Sequence, residues 1–161
     1  MTTPSHIPQE LIIRQTVRED GDLSDMLSEL RILLPGAQML TAFLIILPFN
    51  SGAREHLHED KLIFLATFFW SLTSLVLLSA PAVQHRVMRP LISREKFKLF
   101  ATQQIVAGSF ALALAFTLGT HLVISAVLGQ LLGLVASAAM AILIFSLWCV
   151  VPMLLKRRHG F

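Results

Sequence analysis

The chain has 161 residues, 55% of them hydrophobic and 14% charged, with a formal net charge of +3 at pH 7. That length suits one domain, and a mean hydropathy of +0.70 excludes an ordinary soluble globular protein in favour of a membrane protein. A pI near 9.6 fits a basic rim against anionic lipid headgroups; nothing interleaves aromatic with basic residues as nucleic-acid binding would, so no nucleic-acid partner is expected.

Asp, Glu, Lys and Arg are confined to residues 10–31, 54–61, 86–98 and 156–158. The charge-free blocks between them, 32–51, 62–84, 99–120 and 122–155, are each long enough for a helix to cross a hydrocarbon core of about 30 Å, which takes roughly 20 residues. The expected fold is all-α, a four-helix transmembrane bundle with an N-terminal amphipathic interfacial helix. Residues 22–158 form the single membrane domain, with spans at about 30–49, 62–83, 95–119 and 126–155. Residues 1–21 are expected to be disordered. The first 25 residues carry acids and two prolines rather than a basic start and an apolar stretch, so no cleaved signal peptide is expected.

In "DLSDMLSELRILL", residues 22–34, Leu23, Met26, Leu27, Leu30 and Leu34 recur at three- and four-residue steps. That spacing makes one apolar helical face, with Asp22 or Ser24 placed to cap it. A first span confined between Pro35 and Pro48 would be about 21 Å long, too short for the core. A continuous helix kinked at Pro35 is therefore expected from about Asp25 to Phe49, with the Arg31 carbonyl freed by the proline and Gly36 leaving space for a neighbour. Glu29, Arg31 and Gln38 then lie where they can join Gln84, His85 and Arg86 in a polar cluster at the cytoplasmic mouth. The plainer reading is that Arg31 snorkels and Glu29 offsets a basic rim.

The next segment, "REHLHEDK" at 54–61, gathers His56, His58, Glu55, Glu59 and Asp60. One-turn pairs such as Glu55 with Glu59 could share a metal on a helix, but the two histidines lack the spacing of a zinc-protease signature. It reads as a solvated loop or helix start, and no metal site is assigned. The second span carries Phe64, Phe68, Phe69 and Trp70, which read as lipid or core contacts, and Pro81, which bends its exit.

Small residues recur every four positions in the last two spans: Ala107, Ala111, Ala115 and Gly119, then Gly129, Gly133, Ser137 and Ala141. Such ladders let helix backbones approach closely. They are expected to form an antiparallel hairpin joined around Thr120 and His121; the competing reading places one ladder at a homo-oligomer contact. Cys149 is the only cysteine and reads as a packing residue.

Eleven of the 13 Lys and Arg residues fall on the N-terminal segment, the 86–98 connection and the C-terminal tail, leaving Arg54 and Lys61 on the other side. Basic residues are retained in the cytoplasm, so both termini are expected there. No charged residue lies deep in a span, which disfavours an ion-coupled carrier. No nucleophile with a base and no ligand set has catalytic spacing, so no catalytic residue, cofactor or enzymatic activity is expected.

The order "ELRILLPGAQMLTAFLIILPF", then "SAPAVQHR", then two more apolar helices, resembles a family of small bacterial four-helix membrane proteins known only as a domain of unknown function. The resemblance runs from about Ser28 to Leu155 and rests on Glu29, Leu30, Arg31, Pro35, Gly36 and Gln38, supported by Pro48, Pro81, His85 and Arg86. It implies a multi-pass protein of a bacterial inner membrane, brings a sodium/proton antiporter label for some relatives that the charge-free spans oppose, and supplies no substrate. Two readings follow: a non-enzymatic partner or accessory subunit, alone or as a homo-oligomer, acting through helix surfaces and the basic rim, or a small oligomeric ion or solute transporter gated at the polar mouth. The topology is checked by reporter fusions: a phosphatase active only outside the cytoplasm stays silent when fused after Phe161 and is active when fused after Ser51.

Overall fold

The computed structural model describes residues 9–49, 60–87 and 94–159. Helix α1 spans Gln9–Ile46 and ends in a short 3-10 turn, Leu47–Phe49. Helices α2, Lys61–Val87, α3, Arg94–Leu128, and α4, Gln130–Phe145, follow. A π-helical turn, Ser146–Val150, joins α4 to α5, Val151–His159. Four helical segments are long and apolar enough to cross a membrane: Ser28–Phe49, Lys61–Val87, Phe97–Leu128 and Gln130–Arg158. With four crossings the chain returns to the side on which it began.

Three boundaries differ from those expected. Residues 9–21, expected to be disordered, belong to α1, so the amphipathic segment is the first part of the first span's own helix and not a separate interfacial element. At 38 residues α1 is about 57 Å long, nearly twice the hydrocarbon thickness, and its first half extends beyond the membrane on the terminal side. Gly36 faces open space, with nothing within 4 Å of where a Cβ would stand, so it makes no room for a neighbour within the chain.

The third boundary is the turn between the last two spans, which falls at Gly129 and not around Thr120 and His121. Thr117 and Thr120 donate their hydroxyls to the carbonyls of Ala113 and Phe116 one turn back, which keeps these polar residues compatible with a helix in hydrocarbon. Gly129 has φ 92°, a conformation that costs glycine little and an L side chain much, and it reverses the chain in one residue. The π turn has a local cause as well. Pro152 has no N–H and its ring crowds the carbonyl four residues back, at Trp148; the helix widens so that the N–H of Val151 reaches Ser146.

Helices α1, α2 and α3 share the core. Leu30, Ala37 and Leu44 of α1, Leu78 of α2, and Ala101, Ala111, Leu112 and Ala115 of α3 are buried. The central helix, α2, buries Thr67, Ser71, Ser74, Leu78 and Pro81, a 4-3-4-3 stripe of mostly small side chains that admits a neighbour on each flank. Gly108 lies against Leu78 and Gly119 against Thr67, so the same register holds along eleven residues of each antiparallel helix. A Cβ on Gly108 would stand 2.9 Å from Leu78 Cγ and 3.1 Å from Leu77 Cβ; the missing side chain sets how closely α2 and α3 approach.

The last span lies outside this core. Its window is 6% buried against 33% for the third, and α4 takes its packing from α3. At their crossing a Cβ on Gly133 would sit 2.8 Å from Ser125 Cβ and 3.0 Å from the Ser125 backbone. That neighbour is main chain and cannot rotate away. Gly133→Ala should therefore destabilise the protein by about 1–3 kcal/mol despite alanine's better helix propensity, read as an earlier thermal unfolding midpoint in detergent.

Candidate functional site

The mouth on the terminal side, where the sequence places a polar cluster, divides into two layers. Leu30 is buried at 2% exposure, and its helical neighbours Glu29 and Arg31 are both exposed, turned away from the core on either side of it. Arg86 is exposed as well, whereas Gln84 and His85 are half-buried. The His85 ring packs against the buried Phe97 ring at 6.0 Å between centroids and 45° between planes. Gln84 Oε1 and Gln104 Oε1 are buried without a hydrogen-bond partner. The antiparallel register of α2 and α3 puts these two amides at nearly the same depth. Gln38 is exposed on α1, well above this level, and does not join them.

One turn deeper the core is apolar: Leu30, Ala37, Leu78 and Leu112 form a cluster with Leu33, Leu34, Leu75 and Ile105 packed around it. Beyond that plug, Thr41 and Ser71 share a hydrogen bond of 2.5 Å between hydroxyls, and Thr41 also donates to its own helix at Ala37 O. Ser74 Oγ, one turn from Ser71, is buried and unpartnered.

The opposite side holds a polar tie. Asp60 stands at the N-terminus of α2, and its carbonyl accepts the N–H of Phe64. Its carboxylate accepts Ser125 Oγ at 3.3 Å and Gln130 Nε2 at 3.2 Å. One acidic side chain therefore joins the start of α2, the end of α3 and the start of α4. The amino ends of α2 and α4 both favour negative charge there. Ser125 carried no signal of its own in the sequence; Asp60 was legible as a residue of capping type directly before an apolar run. Glu55, His56, His58 and Glu59 lie outside the described residues. Among the described residues no group of three or more His, Cys, Asp and Glu can hold a metal.

The small-residue ladders point in different directions along their length. Ala111, Ala115 and Gly119 are buried, with Gly119 against Thr67 of α2 and Leu40 of α1, while Ala107 is exposed. A four-residue step advances about 40° around a helix with 3.6 residues per turn, so three steps turn such a row off its starting face. In the last span Gly129 makes the turn, Gly133 packs on Ser125, Ser137 is half-buried with its hydroxyl on Leu134 O, and Ala141 is exposed. An apolar cleft of about 330 Å³ opens between α1 and α3 beside Gly119, lined by Leu40, Phe43, Leu44, Phe116 and Leu122. Thr120 also lines it, but its hydroxyl is donated to Phe116 O, and the cleft suits hydrocarbon.

A family model described as a family of unknown function, DUF6328, matches residues 14–152. The chain belongs to that family. The match takes in all four membrane-spanning segments apart from the last residues of the fourth, and with them the mouth, the plug and the Asp60 tie of this DUF6328 protein. No curated protein and no solved structure matches it.

The Thr41–Ser71 bond is the side-chain link between α1 and α2 at mid-depth. Thr41→Val and Ser71→Ala are each expected to cost roughly 0.6 kcal/mol or somewhat more, and the double variant less than their sum. A double-mutant cycle on unfolding in detergent measures that coupling.

Proposed function

We propose that this protein is a non-enzymatic partner or accessory subunit of a bacterial inner membrane, acting through its helix surfaces and a basic cytoplasmic rim. The observation that carries this reading is the direction of its polar groups. Gln38 and Gln103 are exposed on the outer faces of α1 and α3, open to the surroundings of the bundle, and the space between the helices is filled by the Leu30, Leu78 and Leu112 plug. Exposed Glu29, Arg31, Arg86, Lys156, Arg157 and Arg158 surround the cytoplasmic end, suited to anionic headgroups and to an acidic face of another protein.

A second reading, a small oligomeric ion or solute transporter gated at the cytoplasmic mouth, is favoured by one feature: the unpartnered buried oxygens of Gln84 and Gln104, which can accept a hydrogen bond from water or a solute. Its pathway would have to pass the leucine plug. Proton and sodium flux into proteoliposomes holding the purified protein, beside Glu29→Gln and His85→Ala, separates the two. The partner reading expects no flux above empty vesicles from any of the three, whereas flux that either substitution abolishes would establish the transporter.

A further inference from the structure

We propose that the outward stripe of α1 centred on Gln38 is the contact of a homodimer in the membrane. Arg31, Pro35, Gln38, Ala42 and Ile45 are all exposed and follow one another along α1 at steps of four, three, four and three residues. That is the spacing of a left-handed helix–helix seam. A separate face of α1 about 110° round the helix, through Leu30, Ala37, Thr41 and Leu44, is spent on the chain's own core.

Depth makes Gln38 decisive. It lies ten residues beyond Ser28 and eleven before Phe49, the ends of the first span. At 1.5 Å per residue this is about 15 Å from either end, the midplane of a core about 30 Å thick. A primary amide there reaches neither headgroups nor water. No described residue hydrogen-bonds it, so in a lone chain it would face lipid with two donors and an acceptor unmet, which hydrocarbon penalises. Gln103 is also exposed but lies six residues from the start of the third span at Phe97. At about 9 Å from the membrane surface its side chain can lean toward the headgroups.

The occupant that meets Gln38 is a second copy of α1. A two-fold axis along the membrane normal brings each residue opposite itself at the same depth, and an amide is its own complement, one carbonyl accepting from the other's N–H in both directions. Ala42, one turn on, is small enough for the backbones to approach. Arg31, about 10 Å from the crossing and so about 5 Å inside the edge of the core, snorkels to lipid phosphate instead of meeting its copy. The inference goes beyond the functional readings above and holds under either of them.

The test uses the full chain in lipid bilayers, with Cys149→Ala as background. Ala42→Cys should cross-link to dimer under mild oxidation, and Phe43→Cys, one residue on, about 100° round the helix and 51% exposed, should not. Energy transfer between donor- and acceptor-labelled copies, followed as lipid dilutes them, should show Gln38→Leu weakening association by about threefold to tenfold. Monomer at every dilution, cross-linking through Phe43 rather than Ala42, or association unchanged by Gln38→Leu each overturns the proposal. A monomer that conducts no ions would overturn the dimer alone and leave the partner reading in place; ion flux would overturn the partner reading whatever the oligomeric state.

Discussion

Hydrocarbon offers no hydrogen bonds, and that constraint organises this structure from one end to the other. Each hydroxyl in a span must find an acceptor within the protein, and most find one on their own helix: Thr41 at Ala37, Thr67 at Ile63, Thr117 at Ala113, Thr120 at Phe116 and Ser137 at Leu134. The few polar groups that do not are therefore informative. Ser74, Gln84 and Gln104 keep buried oxygens without partners, and Gln38 carries its amide outward at the midplane.

The same constraint removes the usual driving force for packing, since lipid tails are as apolar as leucine. Contact area and close approach replace it. Helix α2 meets its neighbours with Thr67, Ser71 and Ser74, all fully buried, and α3 meets it with Ala111, Ala115 and two glycines. Gly108 and Gly133 mark the points where a single methyl group would force helices apart. Three helices exhaust this surface. The last span finds only the flank of α3 near Ser125 and leaves most of its side chains to lipid, which is why it is the least buried of the four.

The two membrane faces are built differently. On one, the Asp60 carboxylate ties three helix ends together through Ser125 and Gln130. On the other, Glu29, Arg31 and Arg86 spread outward around half-buried Gln84 and His85, with a helical extension of α1 projecting from the membrane. The protein is thus tied at one end, filled with leucine in the middle, and open and charged at the other.

The number of spans, their approximate positions and the sidedness of basic charge were determined by the sequence, because they depend on composition over stretches of about 20 residues and on no contact between them. The family was legible in the run from Glu29 to Gln38. The turn at Gly129 was missed because Thr120 and His121 look like a loop until the hydroxyls of Thr117 and Thr120 are seen bonded to their own helix. Tertiary structure decided which face of each helix is inside. A two-residue step turns a helix about 200°, so Glu29, Arg31 and Gln38 cannot all point where a linear reading gathers them. The Asp60 tie joins residues 65 and 70 positions apart, and local pattern holds no record of that pairing: it exists only once α2, α3 and α4 have packed and brought their ends to one corner.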